Sequence, residues 1–103
     1  MLEREYQAKL IKRIKKRFPG CVVIKNDAGY IQGIPDLLVL FRDRWAMLEV
    51  KESAQADEQP NQDHYISLFD QMSFAAFIFP ENEKEILNEL QHAFRIGRAT
   101  RIP

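Results

Sequence analysis

Three charged residues stand at the ends of two apolar segments in the stretch GIPDLLVLFRDRWAMLEVK, which runs from Gly33 to Lys51. Asp36 opens the first segment, and Glu49 and Lys51 close the second. Carboxylates are hard oxygen ligands that bind Mg²⁺ or Mn²⁺ together with water and phosphate oxygens. A neighbouring lysine orients a water molecule or stabilises charge on a phosphate. These residue types therefore indicate metal-assisted attack of water on a phosphodiester.

The two apolar segments predict a pair of antiparallel strands joined by a tight turn. A turn that pairs Phe41 with Arg44 places Asp36 opposite Glu49, because the position numbers of an antiparallel pair have a constant sum. Directly opposed side chains share a face of the sheet, with Cβ atoms roughly 5 Å apart. Lys51 lies on that face as well, since it is two residues from Glu49. A register shifted by one residue turns Asp36 to the other face.

Each half of this pattern also has an ordinary structural explanation. Pro-Asp frequently opens a turn, and Glu-x-Lys is common on exposed strands as a solvated ion pair. The pattern favours chemistry only because both halves flank strands of matching length.

The spacing of apolar residues predicts seven elements in one α/β domain. They are a helix over 2–18, strands over 21–24, 36–41 and 45–51 with the turn near 42–44, a helix beginning at Pro60, a strand over 74–79, and a helix after an Asn82–Glu85 capping pair. The apolar sides of the last two helices are expected at Tyr65, Leu68, Phe69 and Met72, and at Ile86, Leu87, Leu90, Ala93 and Phe94. The order α-β-β-β-α-β-α predicts a central mixed sheet flanked by helices.

Length and composition narrow the class of protein. The chain has 103 residues and 46% hydrophobic residues, which indicates one globular domain over 1–103 with a flexible basic tail at about 96–103. No apolar run reaches the roughly 20 residues of a membrane helix, and the N-terminus does not resemble a signal peptide. The single cysteine, Cys21, excludes an internal disulfide, so we expect an intracellular, cytoplasmic protein in which Cys21 is a small buried hydrophobe.

The net charge of zero conceals an uneven distribution. Between Met1 and Lys25 there are eight basic residues and two acids, a net charge of +6. Such asymmetry indicates a polyanionic partner. The residues expected to contact phosphates are Lys12, Arg13, Lys15, Lys16 and Arg17. The alternative is that these side chains only solvate a helix surface.

The motifs GIPD and, thirteen residues later, EVK resemble the signature of the PD-(D/E)xK nuclease superfamily. The closer resemblance is to its compact, stand-alone VRR-NUC nucleases, many of them from phages and other viruses, which are relatives of Holliday junction resolvases. The resemblance extends from about Glu3 to Phe79. It implies a restriction-endonuclease-like fold. The family's helical glutamate is matched by Glu3, followed by Tyr6 and Gln7, and Glu5 is the alternative.

The resemblance also implies roles for individual residues. Asp36 and Glu49 would bind Mg²⁺ or Mn²⁺ together with the backbone carbonyl of Val50, and Glu3 would contact the metal through water. Lys51 would position the attacking water or help to deprotonate it.

Two further positions match the family pattern outside the strands. Gln62, shortly after Pro60, would hold Lys51 or the phosphate. Asn26, in the loop KNDAGYIQGIPD, would contribute to DNA binding. Among nearby residues, His64 is interpreted as a surface residue rather than a catalytic base, and Asp27 as a turn former rather than a metal ligand.

The expected function is that of a Mg²⁺-dependent DNA endonuclease acting on branched DNA as a homodimer, because two cuts need two active sites. No separate DNA-reading domain is evident, which favours recognition of DNA shape over sequence. Tyr30 and Trp45 are candidates for stacking on exposed bases, although packing is the more ordinary role for Trp45. The alternatives are a nickase or flap nuclease, and a non-catalytic DNA-binding module of the same fold. A phage-encoded protein would act in the host cytoplasm.

Overall fold

The elements of the chain follow the predicted order, with boundaries that differ by one or two residues. A computed structural model describes residues 1–96. The elements are helix α1 (Glu3–Arg17), strands β1 (Val22–Lys25), β2 (Leu37–Phe41) and β3 (Arg44–Val50), helix α2 (Gln62–Met72), strand β4 (Phe74–Ile78) and helix α3 (Glu83–Ile96). The predicted flexible tail lies, from residue 97 onward, outside the described residues.

The four strands form one mixed sheet in the order β1-β2-β3-β4. The first three strands are joined as antiparallel neighbours, and β3 and β4 are parallel. A parallel pair needs a crossover connection, and α2 provides it. The predicted α/β class and mixed sheet are thus confirmed.

The hairpin of β2 and β3 has the register predicted from its turn. Phe41 pairs with Arg44, and Leu37 pairs with Leu48. The turn between the strands is short because Arg42 adopts a positive φ of 59°, a left-handed conformation that reverses the chain in few residues. One step beyond the last pair, Asp36 comes opposite Glu49.

The main core lies between one face of the sheet and the helices α1 and α3. Alternate strand residues, such as Leu37, Val39 and Leu48, point to this face and are fully buried. They pack with the residues of the two helices that recur at spacings of three and four, namely Tyr6, Leu10, Ile14 and Phe18 in α1 and Leu87, Leu90, Ala93 and Phe94 in α3. Cys21 packs against the edge of this core but is only partly buried, so it is less buried than predicted.

Helix α2 covers the opposite face over β3 and β4. Its Phe69 ring meets Trp45 of β3 edge to face at 6.2 Å, and Tyr65 stacks on Phe69. Trp45 is therefore a packing residue. The prediction that Met72 faces inward is wrong, because its side chain is 62% exposed. Met72 lies in the last turn, immediately before the chain turns back into β4.

Polar contacts join α1 to the beginning of α3. Arg13 forms a two-pronged ion pair with Glu83, with distances of 2.6 and 2.8 Å, and the Tyr6 hydroxyl donates to Glu83 at 2.8 Å. Burial alone would raise the pKa of Glu83, but the hydrogen bonds from Arg13 and Tyr6 outweigh it and lower the pKa. These contacts fix α1 relative to the sheet, and its N-terminal turn, which carries Glu3, is fixed with it.

Two predicted helix starts need correction. Helix α2 begins at Gln62 rather than Pro60, because Asn61 takes a left-handed conformation with φ 71°. Asn82 precedes α3 as predicted, but its side-chain oxygen accepts a hydrogen bond from the backbone N–H of Phe79 and so caps the end of β4. None of the helices within residues 1–96 is long and apolar enough to cross a membrane.

Candidate active site

Polar side chains from three segments meet at one end of the sheet, where β2 begins and β3 ends. Asp36 leaves the β2 ladder in a bend, and its Oδ2 accepts a hydrogen bond of 2.9 Å from the backbone N–H of Val50. Its backbone carbonyl accepts a second hydrogen bond, from the N–H of Asn26 at 2.8 Å. Asp36 is thereby held against the end of β3, beside Glu49.

Glu49 and Lys51 are almost completely buried, with exposed fractions of 2% and 6%. Glu49 Oε2 accepts a hydrogen bond of 2.9 Å from Gln62 Nε2 and lies 3.9 Å from Lys51 Nζ. Charged side chains are seldom buried unless they are paired or hydrogen-bonded. This end of the sheet therefore contains a cluster of buried polar side chains that hold one another in place. Most of the other buried side chains among residues 1–96 are apolar.

Gln62 connects the acid and the lysine. Its Oε1 accepts hydrogen bonds from Lys51 Nζ at 2.7 Å and from the backbone N–H of Gln59 at 2.8 Å. Both partners can only donate, so the atom between them must be the amide oxygen. The amide N–H₂ then has to point to Glu49, which can accept. This arrangement agrees with the predicted role of Gln62 in holding Lys51.

A backbone group that the sequence analysis did not identify also holds Lys51. The Lys51 Nζ donates a hydrogen bond of 2.9 Å to the carbonyl oxygen of Asp57, in the connection between β3 and α2. A backbone carbonyl has no residue-specific signal, so no pattern in the sequence indicates it. With Gln62, it fixes the ammonium group from two sides.

The electrostatics of the cluster oppose an ionised Glu49 in the metal-free protein. Burial is the largest cause, and the nearby Asp36 carboxylate adds to it. Lys51 offsets part of the effect, and the pKa of Glu49 is raised from 4.5 to about 8. A positive charge placed between the two carboxylates would relieve this repulsion.

The structure separates the two candidate glutamates of α1. Partial burial raises the pKa of Glu3, and the charges of Asp36, Lys51 and Glu52 also act on it, so Glu3 is an exposed residue within electrostatic range of the cluster. The Glu5 side chain instead accepts a hydrogen bond from the backbone N–H of Leu2 at 3.2 Å, within its own helix end. Glu3 is therefore the glutamate that α1 brings to this end of the sheet.

Asn26 has a structural role in the loop before β2. Its Nδ2 donates to the carbonyl oxygen of Pro35 at 2.8 Å, which joins the two ends of the loop. Gly33, with φ +90°, packs so tightly against Pro60 and Asn61 that a Cβ atom there would lie 2.6 Å from Asn61 Cβ. This contact sets the loop that leads to Asp36 against the segment that leads to Gln62, and it was not predicted.

The predicted phosphate-binding residues of α1 fall into two groups. Arg13 is paired with Glu83, and Arg17 donates hydrogen bonds to Gln91 and Asn88 of α3. These two arginines serve helix packing. The remaining predicted residues, which are exposed to solvent, are Lys12, Lys15 and Lys16.

Two nearby residues lie apart from the cluster. The ring of His64 contacts that of Tyr65 at 5.0 Å. Asp27 accepts a hydrogen bond of 2.8 Å from the backbone N–H of Gly29, which is the turn-forming role expected for it.

The residues present fit a hard divalent cation. Glu49 Oε1 is a buried side-chain oxygen that has no hydrogen-bond partner within residues 1–96, and it belongs to a carboxylate beside a second one. Within the same residues there is no group of three or more His, Cys, Asp or Glu side chains suited to a metal. Two adjacent carboxylates suit an ion such as Mg²⁺, which is held by one or two carboxylates and completes its shell with water.

The raised pKa of Glu49 predicts a pH-dependent stability in metal-free buffer. The contribution of Glu49 to stability is full below about pH 4.5 and is lost as the pH rises through 8, because its ionisation is opposed only in the folded state. Glu49→Gln cannot ionise at this position. We therefore expect its free energy of unfolding to rise relative to that of the wild type by up to about 1.4 kcal/mol for each pH unit in this range. Urea denaturation in EDTA at pH 5 and pH 8 measures the difference.

The control for this prediction is Glu5→Gln, which removes a carboxylate outside the cluster. We expect the free energy of unfolding of this variant to differ from that of the wild type by the same amount at pH 5 and at pH 8. If the free energy of unfolding of Glu49→Gln also changed with pH as that of the wild type does, the ionisation of Glu49 would not be the cause of the pH dependence.

Comparison of the chain with protein-family models, with curated proteins and with solved structures gave no match. The membership of a nuclease family stays a prediction that depends on the motif residues and on the cluster they form.

Proposed function

We propose that this chain is a metal-dependent DNA endonuclease of the restriction-endonuclease-like fold, which hydrolyses phosphodiester bonds in branched DNA as a homodimer. One observation carries the proposal. Glu49, Lys51 and Gln62 form a buried, hydrogen-bonded cluster beside Asp36, and one buried carboxylate oxygen of Glu49 accepts no hydrogen bond from any residue between 1 and 96.

The predicted ligands belong to this cluster or adjoin it. Asp36 and Glu49 would hold Mg²⁺ or Mn²⁺ together with the carbonyl of Val50, and Glu3 would contact the ion through water. When bound, the cation supplies Lewis-acid stabilisation of the charge that develops on the phosphate oxygens.

The chain's own residues supply position and charge. Lys51 has three N–H donors as an ammonium group, and two are used by Gln62 and Asp57. The third is available to orient the attacking water or to donate to a phosphate oxygen. Because Gln62 also donates to Glu49, it fixes the distance between the acid and the ammonium group. Positioning of this kind reduces the entropy lost on reaching the transition state.

We assign the phosphate contacts away from the cluster to the lysines of α1. Lys12, Lys15 and Lys16 are exposed, whereas Arg13 and Arg17 of the same helix are bound to residues of α3. Contacts of lysines with DNA phosphates give affinity that is independent of sequence and falls with salt. This agrees with recognition of DNA shape.

The experiment that tests the substrate class compares a labelled four-way junction with a 5′ flap, a linear duplex and a single strand. Each is incubated with wild-type protein in Mg²⁺ and in EDTA. We expect paired, symmetric cuts in the junction and a dimeric mass by light scattering. Cuts in flaps or single strands alone would overturn the junction assignment and leave a nuclease. Metal-independent binding without cleavage of any substrate would identify a non-catalytic module.

A further inference from the structure

One large aromatic side chain in the loop that leads to the candidate active site has no role in the core. Tyr30 is 85% exposed, in the loop that connects β1 to Asp36. Tyrosine has a large flat apolar surface, and a free-standing tyrosine close to a site for a nucleic acid is suited to stacking.

The loop that carries Tyr30 is held by hydrogen bonds rather than extended into solvent. At its base, the backbone N–H of Asn26 donates to the carbonyl of Asp36, and the Asn26 amide donates to the carbonyl of Pro35. At its tip, the backbone N–H of Tyr30 donates to the carbonyl of Asp27 at 3.1 Å. The backbone of Tyr30 is thus fixed before any ligand arrives.

Tyr30 also differs from its neighbours in the loop in how much of its side chain is buried. Pro35 is fully buried and Ile31 and Ile34 are half-buried, whereas Tyr30 is exposed. Gly33 rests against Pro60 and Asn61. The loop therefore has its own anchoring residues, and the ring of Tyr30 is not needed to hold it in place.

The length of the chain limits how far the ring stands from the cluster. Tyr30 lies six positions before Asp36, so their Cα atoms are at most about 21 Å apart. Successive phosphates of a stacked strand are spaced by about 3.4 Å along the helix axis. Tyr30 is thus within about six nucleotides of a phosphate bound at Asp36.

We propose that Tyr30 stacks on a base that is exposed at the branch point of the DNA substrate, near the phosphate that Asp36 and Glu49 would hold. The inference depends on the proposed function and makes it more specific. A base inside a duplex has both faces covered by its neighbours, whereas a base at a branch point, as in a flap or an open four-way junction, offers a face to the tyrosine ring. Tyr30 then selects branched DNA over a continuous duplex.

The test measures binding in EDTA, where hydrolysis does not intervene. The probes are a duplex with a 5′ flap that carries 2-aminopurine at the first unpaired position, and a fully matched duplex of the same length. We expect Tyr30→Ala to weaken binding of the flap by about 5- to 100-fold and to leave the matched duplex within twofold. We expect Tyr30→Phe, which keeps the ring, to bind both probes as the wild type does.

A spectroscopic signal accompanies the affinity. Stacking on Tyr30 quenches 2-aminopurine fluorescence, and Tyr30→Ala is expected to abolish the quenching. Equal effects of Tyr30→Ala on both probes, or no effect on the flap, would overturn the proposal. The nuclease assignment is tested separately. If it is wrong, the wild-type protein cleaves no substrate in Mg²⁺.

Discussion

Lys51→Met is expected to lower the single-turnover rate of DNA cleavage in Mg²⁺ by roughly 10²- to 10⁴-fold, the range for loss of a positioned side chain that assists proton transfer. Lys51 is 6% exposed, and its ammonium group is fixed by Gln62 and by the carbonyl of Asp57. Methionine has a similar length and keeps the packing of the aliphatic part. It removes only the charge and the N–H donors.

The matched control is Lys84→Met, which removes an exposed lysine in the first turn of α3. Its rate is expected to stay within twofold of the wild type. Loss of the ammonium group also leaves the buried Glu49 without its nearest positive charge, so thermal melts must show that Lys51→Met is folded at the assay temperature. A folded Lys51→Met protein with a rate within fivefold of the wild type would contradict the assigned role.

Gly33→Ala is expected to have the largest effect on stability, a loss of roughly 3 kcal/mol in the free energy of unfolding. Two causes act together. The residue has φ +90°, a conformation that is strained for any L-residue with a side chain, and the added Cβ would lie 2.6 to 2.9 Å from atoms of Pro60 and Asn61, including backbone. In a domain of about 100 residues, such a loss lowers Tm by roughly 10–20 °C.

Gly20 provides a control with the same backbone conformation. It also has φ +90°, but a Cβ there would meet nothing within 4 Å. Gly20→Ala therefore isolates the conformational cost, about 1 kcal/mol. Equal losses of Tm in the two variants would show that the contact between the loop and the start of α2 contributes little. A larger loss in Gly33→Ala, together with reduced cleavage, supports the view that this contact aligns Asp36 with Gln62.

The most informative prediction from sequence concerned the hairpin. Its register depends on a turn of two residues and on alternation of side chains, both of which are local. Once Phe41 pairs with Arg44, the pairing of Leu37 with Leu48 follows, and the approach of Asp36 to Glu49 follows from that. Local rules were therefore enough to bring the two acids together.

Other features depend on contacts between residues that are distant in the chain. The partners of Arg13 and Arg17 lie in α3, 70 or more positions away, so helix spacing alone indicated free phosphate-binding groups. The left-handed Asn61 and the exposed Met72 are likewise fixed by how α2 meets its neighbours. Such features follow from tertiary packing, which overrides local preference.

The most direct test of the central claim is cleavage of the labelled four-way junction by wild-type protein and by Asp36→Asn, each in Mg²⁺ and in EDTA. Asp43→Asn, which makes the same change at an exposed residue of the turn between β2 and β3, is the matched control and is expected to cleave as the wild type does. The account predicts cleavage by the wild type in Mg²⁺ only, and none by a folded Asp36→Asn protein under either condition. Cleavage that persists in EDTA, or that survives in Asp36→Asn at the wild-type rate, would contradict it.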